Sequence, residues 1–178
     1  MTQTPSQTVG PFFSVGLISP GGNVLVTPET SGERIRIEGT VFDGAGHRVN
    51  DAVVEVWQAD ARGQYRQDPH FSGFGRCGTD ADGRFCFDTI KPGPADAPAG
   101  VRGAPHVNVI VFARGMLVHA FTRIYFSDDR LDDDSLLGTI AAARRGTLVA
   151  TRTESATGAV YSWDVHLQGE HETVFFDA

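Results

Sequence analysis

The chain has 178 residues, a length that suits one domain with or without a modest arm. Its formal net charge is −7 and its isoelectric point is about 5.2. That balance argues against nucleic acid, whose phosphates would be repelled, but not against a small anion met by one local arginine. The polar start from Met1 to Pro11 lacks the basic and apolar regions of a signal peptide, and no apolar run could form a membrane helix. A cytoplasmic protein is expected.

Residues 1–33 read as an arm. Pro5, Pro11, Pro20 and Pro28, with Gly10, Gly16, Gly21, Gly22 and Gly32, forbid long regular elements. Pro11-Phe12-Phe13-Ser14-Val15 is too apolar for a free tail, so the arm is expected to dock on its own domain or on a partner. From Arg34 the pattern changes. Ile35, Ile37, Gly39 and Val41 alternate with Arg36, Glu38 and Thr40, the period of a strand, and Asp43-Gly44 turns it. Ala52 to Ala59 is a second strand, with Val53, Glu55 and Trp57 on one face and Val54 and Val56 on the other. Trp57 and Trp163 are expected in the core. The turn Asp80-Ala81-Asp82-Gly83 feeds a strand from Arg84 to Ile90, and Lys91-Pro92-Gly93-Pro94 ends it and opens an irregular loop to Pro105. Cys86, between Phe85 and Phe87, reads as a buried free thiol, with a Cys77–Cys86 disulfide as the alternative.

Two long strands follow, His106 to Ala113 and Leu117 to Phe126, around an Arg114-Gly115 turn. Asp132-Asp133-Asp134-Ser135 either caps a short helix over Leu136, Leu137 and Ile140 or forms a solvated loop. Leu148 to Thr153 and Ala159 to Leu167 read as a hairpin, and Val174-Phe175-Phe176 as a last apolar strand or plug. No amphipathic helices separate the strands, so residues 34–178 are expected to form an all-β sandwich with at most short helices.

Common catalytic signatures are missing. Gly44-Ala45-Gly46 lacks the rest of a dinucleotide fingerprint, there is no Gly-x-Ser-x-Gly, and no two histidines form His-x-His or His-Glu-x-x-His. Three segments are more informative: Val54 to Tyr65; Phe74 to Phe85 running on into Thr89-Ile90-Lys91-Pro92-Gly93-Pro94; and Ala104-Pro105-His106-Val107-Asn108-Val109 running on to Tyr125-Phe126. In this order they resemble the intradiol ring-cleavage dioxygenases over nearly the whole chain. The arm from Thr4 to Pro11 and the ending from Gly169 to Asp177 narrow the resemblance to the α-type chain of the family's two-chain members.

The resemblance implies the family's β-sandwich and long loops. It also implies an Fe(III) held, in the catalytic chains, by two tyrosines and a His-x-His pair. Fe(III) is a hard cation that prefers anionic oxygen, and residues i and i+2 of a strand share a face and can reach one metal. Tyr65 matches the first tyrosine and His106 the first histidine. Ala95 and Asn108 stand where the other two ligands belong. The resemblance therefore implies a chain without metal, paired with a homologous β chain that carries the Fe(III), in a higher oligomer of αβ pairs. It implies that Thr8, Gly10 and Pro11 of the arm and Arg114 line the pocket for 3,4-dihydroxybenzoate, which O2 would cleave to 3-carboxy-cis,cis-muconate. A guanidinium suits the substrate's carboxylate. From the residues alone, Arg114 could equally be a solvated turn residue, Gly10 and Pro11 could simply shape a loop, and Tyr65 and His106 could be ordinary half-buried side chains. His119, Arg123 and Tyr125 share one strand face, either pocket or interface. Two rival readings are a self-sufficient dioxygenase with an altered metal site and a non-enzymatic β-sandwich binding module.

Overall fold

The computed structural model describes residues 13–66, 68–95, 103–156 and 158–177. Nine strands carry the fold: β1 (Arg34–Phe42), β2 (Ala52–Gln58), β3 (Phe74–Gly78), β4 (Arg84–Ile90), β5 (His106–Ala113), β6 (Ala120–Phe126), β7 (Val149–Ser155), β8 (Gly158–Ser162) and β9 (Val165–His166). They are hydrogen-bonded in the order β3-β2-β5-β6-β7-β8-β1-β4, with β9 added to β1. The β6–β7 step is a short parallel pairing, Tyr125 with Val149 and Phe126 with Ala150. There the sheet folds over, so that β3-β2-β5-β6 and β7-β8-β1-β4 share one core and the sheet nearly closes. This is the all-β sandwich expected from the sequence.

Alternation decides what enters that core. Ile35, Ile37 and Val41 of β1, Phe85 and Phe87 of β4, Val54 and Val56 of β2, Val107, Val109 and Val111 of β5, and Ile124 and Phe126 of β6 are buried together. Gln58, buried beside them, is satisfied: it donates to the Ile90 carbonyl at 2.9 Å and accepts from the Thr89 hydroxyl at 2.8 Å. Residues 17–33 lie on the chain's own sheets. Leu25 is in the core, Val24 bridges to Asp88 and Val26 to Phe71, and Arg76 donates to the Leu17 carbonyl at 2.9 Å.

The helices are short: α1 (Phe13–Leu17), α2 (Ser135–Thr139) and α3 (Ala142–Arg145). Asp134 caps α2 by accepting from the Leu136 and Leu137 amides, so the acidic run is a helix start and not a loop. A second, smaller cluster under α2 joins Ala104, Tyr125, Leu137 and Leu148.

Several expectations are corrected. Trp163 is buried, but Trp57 is 46% exposed, because the β2 face that it shares with Glu55 opens outward at this end of the strand, while Val53 at the other end is buried. β3 was not anticipated. β6 begins at Ala120 and not Leu117: a turn closed by Met116 donating to the Ala113 carbonyl, with Gly115 at φ 87°, leaves Leu117 and Val118 exposed. The last expected hairpin strand is broken at Trp163-Asp164 into β8 and β9. The terminal Val174–Phe176 stretch adds only a single bridge, Phe176 to Phe121. Cys77 and Cys86 are free, and Cys86 is half-buried rather than buried.

One close approach locks β1 to β9. The Trp163 amide donates to the Glu38 carbonyl at 2.9 Å, and a Cβ on Gly39 would collide with the Trp163 carbonyl oxygen. Gly39→Ala should cost about 1–3 kcal/mol, the usual range for overpacking. Gly138→Ala in α2, where an added Cβ meets nothing, should be neutral or slightly stabilising. Thermal unfolding of the two variants checks the contrast.

Candidate functional site

The faces of β2, β5 and β6 that point away from the core carry a row of polar side chains. Register sets the row: Trp57 lies opposite Asn108, Asn108 opposite Arg123, and His106 opposite Tyr125. Loops roof it. Trp57, Tyr65, Ala95, Gly103, His106, Asn108, Arg123, Asp134, Ser135 and Leu136 enclose a cavity of about 260 Å³. The structure thus brings Tyr65, Ala95, His106 and Asn108, scattered over more than forty residues of sequence, to one place.

The loop that presents Tyr65 is built on Asp60. Its carboxylate accepts from the Arg62 amide at 2.8 Å, the Gln64 amide at 3.0 Å and the Arg66 Nε at 2.8 Å. Burial works against this charge, yet the two amides and the guanidinium hold the carboxyl below its ordinary pKa. Gly63 turns at φ 80° and passes so close to the Pro94 carbonyl that any Cβ would clash. That contact sets the Tyr65 loop against the Pro92–Ala95 segment. Tyr65 then stacks on Trp57 with ring centroids 5.9 Å apart.

At the cavity the polar groups form two hydrogen-bonded sets, one on Asn108 and one on Asp134. The Asn108 amide nitrogen donates to the Tyr65 hydroxyl at 3.0 Å, and its carbonyl oxygen accepts from Arg123 Nε at 3.0 Å. The Arg123 guanidinium also lies near the Tyr125 hydroxyl and favours its ionised form against burial. Tyr125 donates to Asp134 Oδ1 at 3.2 Å. Asp134, buried, receives the Ala104 amide at 2.9 Å on Oδ2 and the Leu136 and Leu137 amides on Oδ1. His106 is anchored by Nδ1 to the Ala104 carbonyl at 2.8 Å. Burial raises the Tyr65 phenol pKa, pushes the Tyr125 phenol up to about 12, and lowers that of the His106 imidazole. The phenols therefore stay protonated and the imidazole stays neutral near neutral pH.

These residues do not fit Fe(III). Ala95 offers no donor atom. Asn108 is a neutral amide with both ends committed to protein partners. Arg123 brings a permanent positive charge into the cavity. What the arrangement does is hold a fixed, satisfied network, and it presents no activated nucleophile or base.

Arg114 lies elsewhere. It sits past the far end of β5, 78% exposed, with Nε 2.9 Å from Asp51. Beside it Gly115, Met116, Val118, His119, Phe121, Phe175 and Phe176 line a shallow concavity of about 560 Å³. His119 belongs to this end, while Arg123 lines the cavity and Tyr125 is buried in the smaller cluster under α2. Thr8, Gly10 and Pro11 fall outside the described residues. Sequence reasoning missed the part played by Asp60 and the bonds that Asp134, a candidate cap, makes to Ala104 and Tyr125. An Asp followed two and four residues on by loop amides is the signal that could have found Asp60.

A protein-family model described as "Dioxygenase" matches residues 10–169. The chain is 42% identical to the protocatechuate 3,4-dioxygenase alpha chain of Pseudomonas putida, across 99% of this chain and 97% of that one. The chain belongs to the intradiol dioxygenase family. Within that family it is also 37% identical to the protocatechuate 3,4-dioxygenase beta chain of Burkholderia cepacia, across 85% of this chain and 71% of that one. The crystal structure of catechol 1,2-dioxygenase from Pseudomonas arvilla C-1 matches with a TM-score of 0.64 at 26% identity, covering 82% of this chain and 55% of that one.

Asp134 answers two backbone amides of α2, the Ala104 amide and the Tyr125 hydroxyl at once. Asp134→Ala should destabilise the protein by about 2–4 kcal/mol, because it removes a helix cap and strands buried donors. Chemical denaturation of the variant measures it.

Proposed function

We propose that this chain is the iron-free α-type subunit of a cytoplasmic protocatechuate 3,4-dioxygenase. It pairs with a homologous β chain that holds Fe(III). Together they cleave 3,4-dihydroxybenzoate with O2 between its two hydroxyls, giving 3-carboxy-cis,cis-muconate. Supporting this reading are the full-length similarity to an alpha chain and a cavity that gathers Tyr65, Ala95, His106 and Asn108, the positions that the family resemblance assigns to ligands. In this reading the partner's Fe(III) supplies activation of the catechol.

This chain's own residues bind and orient. Arg114 exchanges its exposed contact with Asp51 for the substrate carboxylate, a pairing for which a planar guanidinium fork is suited. Thr8, Gly10 and Pro11 of the arm close the pocket wall and exclude bulk water from the reacting ring. The exposed Leu117 and Val118 beside Arg114 supply apolar surface for the partner chain. Residues before 13 dock on that partner, while 17–33 remain on this domain.

Co-expression with the homologous β chain tests the pairing. The expected result is a complex that copurifies and carries iron, while this chain purified alone carries none. One iron per isolated, folded chain, with a red phenolate–iron absorption, overturns the reading. Within the complex, Arg114→Ala should lower kcat/KM for protocatechuate by about 10–100-fold, the equivalent of a charge-assisted hydrogen bond of about 1.5–3 kcal/mol. Catechol, which has no carboxylate, should be used unchanged, and an equal loss for both substrates counts against the assignment. Deleting residues 1–12 should weaken assembly or activity without lowering the melting temperature of the β chain, as size-exclusion chromatography and calorimetry would show.

A further inference from the structure

The missing ligands at 95 and 108 explain why a metal would be bound poorly. They do not explain the guanidinium. Arg123 reaches into the same cavity from the strand position opposite Asn108. Its Nε lies 3.0 Å from the Asn108 carbonyl oxygen, and its charge acts on both Tyr65 and His106. Around it stand Tyr65, His106 and Asn108, the surroundings that the family resemblance assigns to an ion. Among the described residues, no carboxylate lies within ion-pair distance of Arg123. Its charge is met by the neutral Asn108 amide oxygen, with the Tyr125 phenol close by. Neutral oxygen donors gathered around a cation are what a hard ion would also require.

We propose that Arg123 is the resident cation of this cavity: it supplies the positive charge that a metal would bring, and it closes the cavity to metal independently of the lost ligands. Three positions, 95, 108 and 123, then separate the cavity from a metal site. The inference rests on the reading of this chain as the iron-free member of its pair. A guanidinium does not deprotonate in a protein, so no accessible pH removes the obstacle. A metal cation and a guanidinium lining one cavity repel each other, the more so where burial lowers the dielectric around them. Restoring a tyrosine at 95 and a histidine at 108 would rebuild the donor set around a place already taken. The bond from Arg123 to Asn108 also fixes the amide, so that its nitrogen points at Tyr65. The guanidinium thereby organises the Asn108–Tyr65 contact as well as lining the cavity.

The test uses the isolated chain, loaded with ferric iron and desalted. Iron is measured by elemental analysis and by the visible phenolate–iron band, with circular dichroism as the check on folding. The forms compared are wild type, A95Y/N108H, A95Y/N108H/R123Q and A95Y/N108H/R123K. The expected result is iron and the band in the R123Q triple variant alone, with at least a tenfold excess of bound iron over each other form. The lysine variant separates charge from shape, since it keeps the cation on a smaller head. Iron in A95Y/N108H equal to that in the R123Q triple variant overturns the proposal while leaving the iron-free reading of the native chain intact. A folded R123Q triple variant without iron also overturns it. Iron in the wild type defeats both readings. If the A95Y substitution prevents folding, N108H and N108H/R123Q carry the same contrast with Co(II), for which Tyr65, His106 and the imidazole introduced by N108H would be donors. Visible cobalt bands are expected only without Arg123, and equal bands, or none, in both forms overturn the proposal.

Discussion

The structure depends on β5 having one face in the core and one face out. Val107, Val109 and Val111 enter the apolar interior, so His106 and Asn108 must point the other way. A slip of one residue would bury the polar pair and expose the valines, which makes the register strongly determined. Pairing with β2 and β6 then fixes the neighbours of Asn108 as Trp57 on one side and Arg123 on the other. The cavity is therefore a consequence of core burial on the opposite side of the sheet. The loops around Asp60 and Asp134 add a roof whose placement is set by carboxylates that gather backbone amides.

Much of this was legible in the sequence, for reasons that can be assigned to particular residues. The alternation of β1 and β5 announces strands because an apolar residue at every second position suits a sheet with one dry face. The three acidic residues before Leu136 leave a helix start and a solvated loop both open, and the structure decides for the start because the Asp134 carboxylate accepts from free amides. β3 was not legible: Phe74-Gly75-Arg76-Cys77-Gly78 has no apolar alternation, and it is a strand because β2 offers it an edge. Trp57 shows what periodicity leaves out. The pattern groups Val53, Glu55 and Trp57 on one face but does not say that this face opens outward at Trp57. Leu117 and Val118 extended the apparent strand because apolar residues in a loop imitate strand residues. They are exposed because the turn after Ala113 is wider than two residues.

The cavity's members were legible only through family resemblance. Tyr65, Ala95, His106 and Asn108 share no local pattern, and only the fold brings them into contact. Arg123 was recognised as a member of a strand face and no more. Its importance lies in an electrostatic relation, a cation amid neutral oxygen and nitrogen donors, which no spacing rule encodes. The same is true of Asp134, legible as a cap but not as the carboxylate that ties the Tyr125 hydroxyl to the Ala104 amide.

The β5–β6 hairpin has two ends with different occupations. His106 and Arg114 are separated by the length of β5, roughly 25 Å at about 3.4 Å per residue. Substitutions that far apart, with no shared partners, act nearly additively on stability. One end of the hairpin can therefore drift in composition without disturbing the other. For a pair of homologous chains, this separability offers a physical route to division of labour. A cavity can fall silent at one end of a hairpin while the turn at the opposite end stays under selection for what it touches.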